Sequence, residues 1–171
     1  IWTDKNRKSK KEQWMQNLFP IDILHLDDQV LEEIRQRLKS RPYINSCLAY
    51  ASTYEHIIRY LRSQGDTPEM FHVKSLISGS EVLGMEMKKM MKETMGCLVI
   101  DRYSNEENGF LAQTGDVSED FKVNIASFFI EILKQDSDEN AEIGETGRVV
   151  VTDYSRAVPM IRYDTGDLAV K

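Results

Sequence analysis

The sequence predicts an α/β fold: a parallel sheet with flanking helices, followed by a β-rich, barrel-like subdomain. Three observations point there. Between residues 27 and 100, stretches with the helical period of three and four alternate with short buried runs, so helices and strands follow one another. Beyond Gly109 the apolar segments succeed each other as strands with no helix between them. The 171 residues are 41 % apolar and 29 % charged, close to the average of soluble globular chains, which excludes wholesale disorder and collagen-like character.

The chain opens with a basic stretch, residues 4–12, that carries Lys5, Arg7, Lys8, Lys10 and Lys11 and no apolar side chain. Residues 1–20 are expected to be a solvated, flexible start. Residues 27–39 read as a helix capped by Asp27 or Asp28, with Val30, Leu31, Ile34 and Leu38 as one apolar stripe and Arg35, Arg37 and Lys39 toward its C-terminal end. After Pro42 a second helix is expected over 47–62, with Leu48, Ala51, Tyr54, Ile58 and Leu61 on one face and Gly65 and Pro68 beyond its end. Residues 73–77 form a short strand that leads into Ser78-Gly79-Ser80. A stripe of Leu83, Met87, Met90, Met91 and Met95 then ends at Gly96, and 98–100 make a further strand. Strands over 124–133, 148–154 and 160–170 follow, the first two joined by an acidic loop at 135–145 whose spacing does not fit an EF-hand. The predicted subdomains are therefore 21–108 and 109–171.

Charge and cysteine usage narrow the function. Lys and Arg number 22 against 28 Asp and Glu, a net −6, so binding of nucleic acid by charge alone is excluded. No apolar run approaches the roughly 20 residues of a membrane-spanning helix, and no membrane partner is expected. Cys47 and Cys97 lie far apart without a zinc spacing, which reads as two free thiols in a reducing, cytoplasmic setting. The first residue is Ile1 rather than Met, and the chain reads as an internal fragment of a longer protein.

Three clusters fall at predicted strand ends, where open parallel sheets place ligands. Ser78-Gly79-Ser80-Glu81 offers a glycine that lets backbone approach a flat ligand, although an ordinary strand-to-helix turn would look the same. The run Asp101-Arg102-Tyr103-Ser104-Asn105-Glu106-Glu107-Asn108-Gly109 crowds polar groups behind a buried strand, supplies Tyr103 as a stacking surface and Glu107 as a ligand for a hard cation. Asp164-Thr165-Gly166, within Pro159 to Leu168, is also the sequence of an aspartic-protease loop. A dimer using Asp164 would be needed for that chemistry, and the flanking Arg162, Tyr163 and Asp167 argue against it.

Taken together, Ser-Gly-Ser-Glu at 78–81, Tyr-Ser-Asn-Glu-Glu-Asn-Gly at 103–109, and Gly-Glu-Thr-Gly-Arg-Val-Val-Val-Thr-Asp at 144–153 leading into Pro-Met-Ile-Arg-Tyr-Asp-Thr-Gly-Asp-Leu resemble the adenylate-forming ligase superfamily. The resemblance covers about residues 27–171 and lies nearest the phenylacetate-CoA ligase branch, with its CapK-type capsular polysaccharide biosynthesis proteins. It implies part of a larger N-terminal domain in which a carboxylate is activated with ATP and Mg2+ as an acyl-adenylate and then passed to coenzyme A. It assigns Gly79, Ser80 and Glu81 to the loop against adenine and Asp101 to the adenine amino group. Tyr103, with Ser104 beside it, is assigned to the base, Asp167 to the ribose hydroxyls and Glu107 to magnesium.

The departures matter as much. Glu106 stands where many members carry Thr, and within these 171 residues there is neither a Ser/Thr/Gly-rich phosphate loop nor the domain that carries the adenylation lysine. The expectation is an active parent ligase of which this chain is an inactive half-site. A catalytically degenerate nucleotide- or protein-binding module is the alternative.

Overall fold

In the computed structural model, which describes residues 8–23, 25–116 and 118–171, the chain divides into two compact units, Ile1–Asp101 and Arg102–Lys171. The predicted class holds: a sheet that contains parallel strands is followed by a separate antiparallel sheet.

The first unit contains α1 (Lys10–Met15), α2 (Asp28–Ser40), β1 (Ser46–Ala49), α3 (Ala51–Ser63), a 3-10 turn (Pro68–Met70), β2 (Ser75–Gly79), α4 (Met85–Met95) and the start of β3 (Leu98–Asn105). Its strands lie in the order β1-β2-β3, with β1 and β2 parallel from Ser46 opposite Ser75 to Ala49 opposite Ser78. Of the basic start, residues 1–7 lie outside the described residues. Lys10 and Lys11 are helical rather than irregular, because Ser9 and Glu12 close a reciprocal capping box on α1.

α2 begins as its sequence predicts. Asp27 accepts a hydrogen bond from the Val30 amide at 2.9 Å and the stripe buries Leu31, Ile34 and Leu38. α3 starts four residues later than the apolar spacing implies. Cys47 and Leu48 belong to β1, where pairing with β2 satisfies backbone groups that a helical turn would otherwise have bonded. From Ala51 onward the prediction holds, with Tyr54, Ile58 and Leu61 buried. β2 is shifted two residues toward the C-terminus of its predicted span. α4 ends at Gly96 in the left-handed conformation; Met91 and Met95 are buried in the cluster that holds Val99, Leu76 and Leu61, Met87 and Met90 pack against it half-buried, and Met85 is exposed. Asp66, its side chain fully buried, receives a two-pronged ion pair from Arg35 at 2.6 and 2.9 Å and a second from Lys39, which pins the loop after α3 to α2.

The second unit holds the end of β3, β4 (Gly109–Thr114), β5 (Phe121–Val123), β6 (Phe128–Leu133), β7 (Thr146–Asp153) and β8 (Met160–Val170). The strands β3, β4 and β5 are antiparallel neighbours, and β6-β7-β8 form an antiparallel meander around Leu111, Phe128, Val149 and Val151. β8 spans its predicted residues, and β7 runs from Thr146, two residues before its predicted start. β6 is shorter than its predicted 124–133, since residues 125–127 turn and the Phe128 amide bonds to the Asn124 carbonyl at 3.1 Å. β4 and β5 lie outside the predicted strands: β4 carries no clear alternation and β5 has only three residues. At Gly147 any larger residue is excluded: a Cβ there would lie 2.2 Å from the Leu133 carbonyl oxygen across the strand pair.

Candidate functional site: a carboxylate and a phenol joined by two bulges

The polar run at 101–109 is not a loop behind a strand. β3 extends to Asn105, so Asp101, Tyr103 and Ser104 are strand residues, all half-buried, and only Glu106, Glu107 and Asn108 turn. The reason is β4, which returns antiparallel from Gly109 and pairs the backbone that a loop would have left open. One step from Tyr103 to Ser104 corresponds to two steps on β4, from Ala112 to Phe110, which places a bulge beside Tyr103.

A second, wider irregularity interrupts β8. Arg148 faces Leu168 and Val150 faces Asp164, so residues 165–167 protrude from the ladder opposite Val149 alone. Gly166, at φ +79°, supplies the left-handed turn that this excursion needs. The protrusion carries Asp167 to Tyr103: the phenol donates to Asp167 Oδ2 at 2.6 Å and lies 3.3 Å from Thr165 Oγ1. Thr165 donates to the Val149 carbonyl at 3.0 Å and accepts from the Asp167 amide at 3.2 Å. Burial, then the hydrogen bond to Asp167, raises the Tyr103 hydroxyl above the ordinary tyrosine range, so it stays a donor at neutral pH. Asp167 itself is exposed, and its Oδ1 accepts no hydrogen bond among the described residues.

Asp164 is engaged otherwise. Its carboxylate accepts from the Gly166 amide at 3.1 Å and pairs with Arg148, and these two hold it below the usual aspartate range. Arg148 also reaches Asp138 at 3.1 Å and the carbonyls of Ser137 and Lys134, tying the acidic 135–145 loop to the sheet. An aspartate neutralised by a guanidinium does not share a proton with a twin, which removes the physical basis of the protease reading. An open depression of about 540 Å³ lies over this pair, lined by Gln135, Arg148, Asp164, Gly166 and Leu168, but neither Tyr103 nor Asp167 lines it.

In the first unit, Gly79 ends β2 and the left-handed residue of the turn is Ser80, at φ +64°, rather than the glycine. Glu81 is a helix cap. Its carboxylate accepts from the Ser52 amide at 2.7 Å and the Ser52 hydroxyl at 3.0 Å, which satisfies the start of α3 where Tyr50 supplies no side-chain bond. Glu107 is exposed in the β3–β4 turn, and among the described residues no group of three or more His, Cys, Asp or Glu could hold a metal. Burial pushes Cys47 and Cys97 up to about 11, so both are protonated, unreactive thiols at neutral pH.

Thr165 and Arg148 lie within the quoted motifs, but their sequence carries no sign of the contacts they make. A glycine inside a long strand pattern is the signal for a bulge, and Gly166 within 160–170 carried it.

No protein-family model matches the sequence, and no curated protein does. Solved structures do match. An open conformation of 2-hydroxyisobutyryl-CoA ligase, in complex with 2-HIB-AMP and CoA, superposes with a TM-score of 0.73 at 21 % identity over 90 % of this chain and 34 % of that one. The chain shares the fold of an AMP-forming acyl-CoA ligase segment. The anthranilate-CoA ligase AuaEII, in complex with anthranoyl-AMP, matches 81 % of this chain and 26 % of its own at 0.61 and 17 % identity. A benzoate-CoA ligase from Burkholderia xenovorans LB400 matches 74 % and 27 % at 0.58 and 13 % identity. The chain thus spans about a third, or less, of the structures it matches.

Proposed function

We propose that this chain is the adenosine-binding part of a ligase that activates a carboxylic acid with ATP. In that reaction a carboxylate oxygen attacks the α-phosphorus, the bond to pyrophosphate breaks, and the acyl-adenylate then yields its acyl group to the thiol of coenzyme A with release of AMP. The observation that supports it best is the Tyr103–Asp167 hydrogen bond, made by two motif residues 64 positions apart in a chain with this fold. A carboxylate with one oxygen open to solvent suits a vicinal diol such as ribose. Tyr103, half-buried on its strand, offers ring surface for a base. By resemblance Ser104 stands beside Tyr103 at the base, and Gly79, Ser80 and Asp101 are assigned to adenine; Glu81, assigned with them, is held by Ser52 as a helix cap.

Magnesium fits Glu107 as a shared rather than a protein-built site. A lone exposed carboxylate holds such an ion together with phosphate oxygens, and the bound ion would offset charge as pyrophosphate leaves. The proposed branch, on the motif resemblance alone, is that of phenylacetate-CoA ligases and CapK-type proteins. The proposed setting is cytoplasmic, and the 171 residues alone are proposed not to turn over.

Ligand-observed NMR of AMP and ATP, with and without Mg2+, tests the reading. AMP saturation transfer that vanishes in Asp167→Ala supports it. Equal binding by that variant overturns the assignment of Asp167. Carboxylate-dependent ATP/pyrophosphate exchange by these residues alone would overturn the proposed inactivity.

A further inference from the structure

We propose that Thr165 is a positioning residue that presets Asp167 for a ribose. The inference rests on the adenosine-binding reading, and it concerns a side chain that no motif role covers. Thr165 is the one group that touches every part of the arrangement. Its hydroxyl is anchored by donating to the Val149 carbonyl on β7 at 3.0 Å, receives the Asp167 amide at 3.2 Å, and lies 3.3 Å from the Tyr103 phenol oxygen.

The geometry explains why a hydroxyl is needed. Residues 165–167 have no Cα partner in the β7–β8 register, and there the Asp167 amide bonds to a side chain. Thr165 Oγ1 is the acceptor, two residues away, in the local side-chain-to-backbone pattern by which a threonine stabilises a turn. The same oxygen approaches the phenol, whose single proton goes to Asp167 Oδ2 at 2.6 Å. One hydroxyl therefore fixes the backbone that carries the carboxylate and sits beside the phenol that orients it. Asp167 Oδ1 accepts nothing among the described residues, and on this exposed residue it is left for a ligand hydroxyl. A bulge with Gly166 at its centre has wide backbone freedom, and without the anchor Asp167 would sample orientations that do not meet a diol.

The test compares Thr165→Val, which keeps the shape and removes the hydroxyl, with Thr165→Ser, which restores it. Two ligands are titrated by NMR, AMP and 2′,3′-dideoxy-AMP, the second lacking the hydroxyls that Asp167 would hold. A positioning role predicts that Thr165→Val weakens AMP roughly tenfold, leaves dideoxy-AMP unchanged, and is rescued by Thr165→Ser. A general loss of structure weakens both ligands alike and overturns the proposal, as does no effect on either. Amide hydrogen exchange at Asp167 is read in the same samples without nucleotide. It should accelerate in Thr165→Val and return to wild-type protection in Thr165→Ser. If wild-type chain binds no AMP, the adenosine-binding reading fails for these residues, while the exchange result still decides whether Thr165 holds Asp167: unchanged exchange overturns it.

Discussion

Glu81 and Asp167 are both motif carboxylates, each within hydrogen-bond reach of a hydroxyl, yet the two units use them differently. In the first unit Glu81 accepts an amide and a hydroxyl of Ser52 and closes the start of α3. In the second, Asp167 accepts one phenol, stands on a bulge outside the ladder, and keeps an oxygen open. Asp66 extends the contrast, since it too is a first-unit carboxylate whose partners, Arg35 and Lys39, join α2 to the end of α3. A carboxylate tied to backbone and cations contributes to folding. One tied to a neutral donor on an irregular strand keeps capacity for a ligand.

The contrast breaks most visibly at Asp66. Removing it leaves Arg35 and Lys39 facing a buried void, so Asp66→Ala should lose about 3–5 kcal/mol in urea unfolding, whereas Asp167→Ala should stay within about 0.5 kcal/mol of wild type. Comparable losses in the two variants would erase the distinction. On ligand binding the order reverses. Asp167→Ala should weaken AMP by about 1.5–3 kcal/mol, the range for hydrogen bonds to a charged group, as read by NMR titration.

Glu81→Ala sharpens the comparison from the other side. Loss of a helix cap costs about 1 kcal/mol, which for a chain of this size lowers the thermal midpoint by roughly 2–4 °C. If Glu81→Ala kept full stability but lost AMP, the carboxylate would be a ligand contact and the contrast would fall.

The smallest effect is the acid limb. Burial works to raise the Asp66 carboxyl, but Arg35 and Lys39 outweigh it and hold it below its ordinary 3.8. Its contribution is therefore present above the unfolded-state pKa of 3.8 and is lost as pH falls through the lower folded value. Urea midpoints measured from pH 7 down to about 3 should fall less steeply in Asp66→Asn than in wild type. Parallel slopes would show that the pair does not respond to protonation.

Much of the fold was legible because periodicity and capping are local. The Asp27 cap, the stripes of α2 and α4 and the full span of β8 follow from side chains within a few residues of each other. So does the alternation that yields a parallel pair followed by antiparallel strands. The apolar spacing that predicts a helix over 47–62 takes in the last three residues of β1, and only pairing to β2, nearly 30 residues away, decides between helix and strand there. β4 lacks a clear alternation of its own, and its pairing with β3 is what makes Tyr103 a strand residue.

The candidate site divides along the same line. The residues themselves marked Tyr103 as a stacking surface, and the resemblance of the motifs to adenylate-forming ligases assigned Asp167 to a ribose. Their meeting required two register shifts, one in each of two strand pairs, and register is a property of paired strands that no single segment encodes. The role of Glu81 as a helix cap and the role of Thr165 beside Asp167 were likewise set by which backbone amides lacked partners once the strands and helices had assembled. Residue type and period were determined by the sequence itself; which carboxylate folding consumes, and which one it leaves open, was decided only by the tertiary hydrogen bonds.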